Sequence, residues 1–450
     1  MATDTQDTPC QDTTPQDSTL TRTFEALTHD EDARTCKDIP DSACNQQPGN
    51  FIKQLLGSLG NKLADELASA RLILPWLLGA LGAPGWMVGL LVPIREAGAL
   101  LPQVLVAGLI RPLPQRKYVW AAGSAIQAAS AFALALVALW GGGSVGGSMV
   151  LVVLVILSLA RGVTSIATKD VLGKTIDKQK RGQLMGWSGS LAGGATLAAG
   201  AILIALGNQP SRAALVVLLV IASIGWLVNA LCALRLKEDD GATEGGSTAL
   251  ATLKDGVKAL KRDREFRRFN LARTLLLGSA LALPYMALLA QNNSDENLKG
   301  LGVLILISGI ASMIASPLWG KRADRGSHIV MRNGGLIAAA AAFLAALTAL
   351  LPFAWTQTVW PFAMLYAVMI IAHTGIRLGR KTYVVDLAGQ KQRALYVAMS
   401  NTLTGILLLV FGAVIGVTAH LIGSAWALIL LTLSLFIAAM LAQRLHNVEQ

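Results

Sequence analysis

Residues 111–181 hold the pattern that decides the fold: RPLPQRK (111–117), YVWAAGSAIQAASAFALALVALW (118–140), GGGSVGGS (141–148) and MVLVVLVILSLARGVTSIATKDVLGKTIDKQKR (149–181). A basic gap opens the stretch, an apolar run follows, and a glycine-rich turn without charge leads to a second apolar run. The stretch closes on Lys169, Lys174, Lys178, Lys180 and Arg181. From Phe51 onward about twelve such runs of roughly 20 residues follow one another, long enough to cross the hydrocarbon layer as helices. The gaps after the second, fourth, sixth, eighth and tenth runs carry nearly all the lysine and arginine, whereas the other gaps hold only Arg212 and Lys299. Loops on the cytoplasmic side of a membrane show this excess. The expected topology is an all-α polytopic membrane protein with both termini in the cytoplasm.

Composition narrows the class. The chain has 450 residues, 53% of them hydrophobic and 14% charged, with a mean hydropathy of +0.54. That is too little polar surface for a soluble domain of this length. The runs are too long for the alternating strands of a membrane barrel. The net charge of +11 is read as a topology signal facing anionic lipid, with the bilayer as partner and no nucleic acid. The cysteines (Cys10, Cys36, Cys44, Cys232) lack metal-site spacing, and in a cytoplasmic tail their thiols should stay reduced. No metal or cofactor is expected.

Residues 1–50 are acidic and poor in large apolar side chains, which predicts a disordered cytoplasmic tail, dispensable for the core and unlike a signal peptide. The expected divisions are an N-terminal six-helix bundle over 51–236, a cytoplasmic linker over 237–268, a C-terminal six-helix bundle over 269–443 and a short cytoplasmic tail over 444–450. The expected spans are 61–83, 86–110, 118–140, 149–168, 183–207 and 213–236, then 270–290, 300–319, 334–353, 359–377, 395–420 and 424–441. In the linker, the basic run from Lys254 to Arg268 predicts a partly helical segment along the membrane surface.

The six-and-six division prompts a search for a repeat. A shift of 212 residues superposes Gly123 on Gly335, Lys169 on Lys381, Arg181 on Arg393, Ser188 on Ser400 and Gly200 on Gly412. A shift of 209 pairs Asn61 with Asn270 and Pro75 with Pro284 in the opening span of each half. Six spans per half give both halves the same orientation.

Two six-helix halves, a central linker and the loop Gly320-Lys321-Arg322-Ala323-Asp324-Arg325-Gly326 together resemble the major facilitator superfamily of secondary transporters. The loop is similar to that family's Gly…Asp-Arg…Gly signature, in which Asp324 and Arg325 would latch neighbouring helices as the protein changes conformation. The first-half counterpart keeps Gly108 but loses the Asp-Arg pair, which puts the latch there in doubt. The resemblance covers about 61–441 and implies transport of a small molecule by a monomer in the bacterial inner membrane, not an enzyme. The fifth span contains Gly186, Gly189, Gly193, Gly194 and Gly200, read as helix packing. It lacks the Gly-Pro pair usual in the family's drug–proton antiporters, so multidrug efflux is the disfavoured alternative.

Ionisable groups inside apolar runs point to the site, because each costs about 2.5–3.5 kcal/mol at a helix centre. Arg95 and Glu96 lie roughly 14 Å into the second span. They are candidates for substrate or proton handling, or for a structural ion-pair network. Arg161 falls on His373 under the 212 shift, and Arg377 is one turn beyond His373. A histidine held by a helix hydrogen bond and an arginine at a cytoplasmic helix end are the competing readings for His373 and Arg377. Arg71, one turn before Pro75, is a cavity candidate, whereas Asp65 and Glu66 are read as snorkelling to the interface. The surplus of deep arginine hints at an anionic or zwitterionic substrate, and Glu96 is the expected proton carrier. Scattered histidines argue against a membrane-embedded enzyme, and a non-transporting receptor stays open.

Overall fold

A computed structural model describes residues 18–28, 36, 39–101, 110, 113–206, 211–240, 249–292, 298–323, 326–351, 358–387 and 393–447. Among them, helices α1 (Ser18–Thr28), α2 (Asp41–Leu67), α3 (Ile73–Ala80) and α4 (Trp86–Leu100) precede α5 (Lys117–Trp140), α6 (Gly143–Thr175), α7 (Lys178–Leu206) and α8 (Ser211–Leu234). After α9 (Ala249–Arg262) come α10 (Arg264–Leu275), α11 (Gly278–Asn292), α12 (Leu298–Ala323) and α13 (Ser327–Leu350). The chain ends in α14 (Val359–Leu387), α15 (Arg393–Ile422) and α16 (Ser424–Gln443). The described residues contain no strand.

Among the described residues, ten helical stretches are long and apolar enough to cross a membrane. Of the two remaining expected spans, the first is broken between α2 and α3, and the second is described only as α4, 15 residues long, with residues 102–109 outside the described residues. The lipid-facing surface is visible as stripes of exposed apolar side chains. On α6 they are Val145, Met149, Val152, Ile156 and Leu159, spaced alternately four and three residues, one face of a helix.

The break in the first span has a chemical cause. Pro75 carries no N–H and cannot bond the carbonyl four residues back, at Arg71. That carbonyl instead accepts the Tyr366 hydroxyl of α14 at 3.3 Å, across the two halves. The interruption between α10 and α11, at Leu276 and Leu277, falls on Leu67 and Ala68 under the 209 shift, so both halves open with a span broken at the same place. Asn61 and Asn270, repeat mates, also do equivalent work. Asn61 Oδ1 accepts from the Trp226 indole at 3.0 Å, and Asn270 Oδ1 accepts from the Ser400 hydroxyl at 2.8 Å.

The halves touch at the end opposite the basic loops. Gly89 meets Gly416 where α4 crosses α15, and Gly200 meets Gly302 where α7 crosses α12. A Cβ on Gly302 would lie 2.8 Å from the Gly200 carbonyl oxygen, so this approach requires glycine. Gln291 Nε2 on α11 also donates to the Trp76 carbonyl on α3 at 3.0 Å. Toward the basic loops α4 stays against α15 as far as Leu101, which a Cβ on Gly405 would meet at 3.0 Å, whereas glycines of α7 and α12 lose their neighbours. Gly186, Gly193, Gly194 and Gly320 have open space where a side chain would stand. Between the halves the mid-span side chains of Glu66 and Arg377 are exposed, which marks a cleft on the basic side of the glycine crossings. Of the five fifth-span glycines expected to pack helices, Gly200 does so between the halves, and Gly186, Gly193 and Gly194 do not.

The N-terminal segment departs from expectation. Within residues 1–50, expected to be disordered, α1 and the start of α2 are helical. Phe24 and Leu27 form the apolar side of α1. Phe24 is fully buried, edge-on to Phe51 with 5.1 Å between ring centroids, and Lys180 of α7 sits over its face. The Gln183 amide and the Trp187 indole of α7 donate to the carbonyls of Thr28 and Leu27, both at 3.0 Å. Cys36 and Cys44, expected to be reduced thiols, are joined by a disulfide. Enough apolar contact with α2 and α7 exists to order this part of the tail, which its composition alone did not suggest. Glu238, after α8, accepts from the backbone N–H groups of Arg116 and Lys117 and from Lys174 Nζ, which ties the basic end of the N-terminal half together.

Truncating Phe24 to alanine should remove about 3 kcal/mol of burial, enough to release α1. Hydrogen exchange should then rise across 18–28, while exchange in α5 and α6 stays at its parental level.

Candidate functional site

Five charged side chains meet where the first span breaks. Asp65, in the last turn of α2, accepts from Arg95 of α4 at 2.5 Å and from Arg161 of α6. Arg71, in the break itself, pairs with Glu96 of α4 at 2.9 Å. The neighbours Arg95 and Glu96 thus bind opposite sides of the interruption and stitch α2, α3, α4 and α6 together. The Arg95 and Asp65 side chains are only 10% and 19% exposed, whereas Arg161 and Glu96 are 38% and 40% exposed toward the cleft. Glu66, beside Asp65, is exposed to the cleft with Arg71, Arg161 and Arg377 within Coulombic reach.

The facing wall comes from α14. Tyr366, His373, Arg377 and Arg380 are spaced seven, four and three residues apart, so they share one helix face. Tyr366 reaches the Arg71 carbonyl, and Arg377 lies within reach of Glu66 and Glu96. Arg377 stands ten residues before the end of α14, inside the cleft and not at a helix end. His373 is buried, with its Nδ1 3.0 Å from the Ser279 hydroxyl of α11. It belongs to the packing of its own half and does not join the ion pairs around Arg161. Arg273, on α10, is buried and donates to Asn401 Oδ1 of α15 at 2.8 Å.

Arg71, Arg95, Glu96 and Arg161 therefore come together, with Arg377 across the cleft and His373 behind it. Asp65 and Glu66, expected to snorkel, instead belong to the cluster, and Asp65 is its most heavily used acceptor. Gly320, near the end of α12, has open space where a side chain would stand, while Gly108, Asp324 and Arg325 lie outside the described residues. Arg273 and Arg380 were missed. Each adjoins a basic stretch that the loop-charge rule already accounts for, so neither stood out. Among the described residues, the cluster and the arginines of the facing half set six guanidiniums, Arg71, Arg95, Arg161, Arg273, Arg377 and Arg380, against the three carboxylates of Asp65, Glu66 and Glu96. A polar recess of about 200 Å³ opens beside it in the N-terminal half, lined by Ser58, Asn61, Gln127, Arg161, Thr164 and Asn229 among others.

The sequence matches the family profile described as Major Facilitator Superfamily over residues 63–348. An uncharacterized protein of Mycobacterium tuberculosis is 24% identical over 412 residues, spanning 88% of this chain and 77% of that relative. Solved structures share the fold at low identity. The nucleoside transporter NupG superposes with a TM-score of 0.63 at 14% identity, over 88% of this chain and 98% of its own. A POT family transporter in complex with a thioalcohol-conjugated peptide gives 0.66 at 12%, over 87% and 94%. The inward-open xylose transporter XylE from E. coli gives 0.63 at 12%, over 88% and 96%.

Asp65→Asn should leave both Arg95 and Arg161 without their shared acceptor, at a cost of about 2 kcal/mol after allowance for the exposure of Arg161. The thermal midpoint of the detergent-purified protein should fall by several degrees, and Asp65→Glu should restore most of it. An unchanged midpoint in Asp65→Asn would show that the shared carboxylate does not hold these helices.

Proposed function

The chain belongs to the major facilitator superfamily, and from that premise we propose that this secondary transporter carries a small anionic or zwitterionic solute by proton-coupled alternating access. The observation that carries the reading is the surplus of arginine over carboxylate in a cleft between two membrane-embedded halves. Uncompensated charge at that depth is costly, and an anionic cargo offsets it. The charged lining, together with the absence of proline from 183–207, weighs against efflux of apolar drugs.

Orientation follows from the loop charges: the basic end faces the cytoplasm of a bacterial inner membrane, as do both termini. The cleft of this structure is then an inward-facing cleft, sealed on the far side by the Gly89–Gly416 and Gly200–Gly302 crossings. Rocking of the halves about the site would expose it alternately to the two sides.

Glu96 is the proton carrier in this reading. Ionised, it holds Arg71 in the helix break; protonated, it loses the charge that binds Arg71. Arg71 is then free to meet the anion. Because the carbonyl of that same residue holds Tyr366 of the opposite half, a change in its position is felt across the cleft. Proton loading and the relation between the halves are thereby linked through one residue.

Two measurements test the reading. Single cysteines placed through 237–268 should react with an impermeant reagent only from the cytoplasmic side; labelling from outside overturns the orientation. In proteoliposomes, a panel of carboxylated and phosphorylated solutes should yield one that accumulates under an inward proton gradient. Glu96→Gln should still exchange that solute at near the parental rate, yet lose at least tenfold in gradient-driven accumulation. Full accumulation by Glu96→Gln removes Glu96 from proton coupling.

A further inference from the structure

The two halves divide the chemistry unequally. In the N-terminal half Arg71, Arg95 and Arg161 are each bonded to a carboxylate. In the C-terminal half, Arg273 and Arg380 have no ion-pair partner among the described residues, and each buries guanidinium N–H groups that meet no acceptor there: Nε of Arg273, and Nε and Nη1 of Arg380. Arg273 is 9% exposed. Two contacts pair the segments that carry them, Phe269 stacked on Tyr383 with 5.0 Å between ring centroids and the Ser279 hydroxyl 3.0 Å from His373 Nδ1, and Arg273 and Arg380 lie between those contacts, one on each helix. Among the described residues only Asn401 Oδ1, a neutral acceptor, bonds the Arg273 side chain, at 2.8 Å.

Resting on the transport reading above, we infer that Arg273 and Arg380, with Asn401 beside them, form the subsite for one oxyanion group of the cargo, a carboxylate or a phosphate. Like charges held together with unspent donors are unfavourable until an anion lies between them. The planar guanidinium fork suits an oxyanion, since two parallel N–H groups meet two oxygens. A halide, with no second oxygen, gains less from this arrangement.

The subsite also has a place in the transport cycle. Arg273 lies on α10, just before the interruption at Leu276 and Leu277, and Arg380 on the cleft-facing stripe of α14. An anion bound here bridges two helices of the C-terminal half. Its remaining surface is turned toward the other half, whose Arg71, paired with Glu96, meets Tyr366 of the same α14 stripe. Anion capture and proton binding thus reside in opposite halves. Protonation of Glu96 favours the anion because it removes a negative charge from the facing wall.

The test uses the full-length protein purified in detergent, with inorganic phosphate and succinate titrated against chloride at matched ionic strength. Either oxyanion should raise the thermal midpoint of the parent protein in a saturable way. Arg273→Gln and Arg380→Gln should each weaken the apparent affinity roughly ten- to hundredfold, as expected for loss of charge-assisted hydrogen bonds. The exposed Arg267→Gln should leave it unchanged. Arg273→Lys covers the case in which the glutamine variant does not fold; it keeps the charge, lacks the fork, and should bind more weakly than the parent. Phosphatidylglycerol should not compete with phosphate, and competition would assign the arginines to a lipid headgroup and overturn the proposal. So would parental affinity in Arg380→Gln and Arg273→Lys, or the absence of any oxyanion-dependent shift in the parent. The transport reading fails separately, if the parent in proteoliposomes accumulates no anion under a proton gradient.

Discussion

One carboxylate, Asp65, holds two guanidiniums from two other helices, Arg95 of α4 and Arg161 of α6. Everything at the centre of the molecule is arranged around that shared acceptor. It sits in the last turn before the first span breaks, so it fixes the end of α2 against α4 and α6 at the point where the backbone loses its own continuity. In lipid a broken helix is tolerable only where other groups take up its polar atoms. Here Arg71 and Glu96 pair on the far side of the break, and Tyr366 takes the carbonyl that Pro75 leaves without a donor. Backbone interruption and charge cluster are two aspects of one construction.

The halves share their skeleton and differ in their chemistry. Both begin with an interrupted span, with a proline at the same register and an asparagine one turn or two before the gap, bonded to a neighbouring helix. The N-terminal half places acids and bases together at its interruption. The corresponding place in the C-terminal half has bases alone. A duplicated fold with divergent contents presents two unlike walls to whatever enters between them.

Much of this was legible in the sequence, and the failures have specific causes. The spans are plain because the cost of exposing polar backbone to lipid forces long apolar runs, and Arg95, Glu96 and Arg161 are plain because a charge in such a run is expensive. Asp65 and Glu66 were misjudged because charges near a helix end can reach the interface cheaply, and nothing local reveals that the helix stops there to make a break. Arg273 and Arg380 merge into neighbouring basic residues. The fold of the tail rests on Phe24 meeting Phe51 and on two side chains of α7 reaching back more than 150 residues in sequence. Composition measures how much apolar surface a segment has, not whether a distant surface is shaped to receive it.

The bare glycine crossings at the closed end have a mechanical consequence. Where Gly200 lies on Gly302 no side chain stands between the two backbones, so the contact is hard and short, and it acts as a fulcrum. From it α12 runs about 30 Å to Ala323 at the basic end, at 1.5 Å per residue. A tilt of roughly ten degrees about such a pivot sweeps the far tip through about 5 Å, while the residues next to the glycines scarcely move. If the halves rock as proposed, the helices would serve as levers, turning a small rotation at the seal into a wide aperture at the other end.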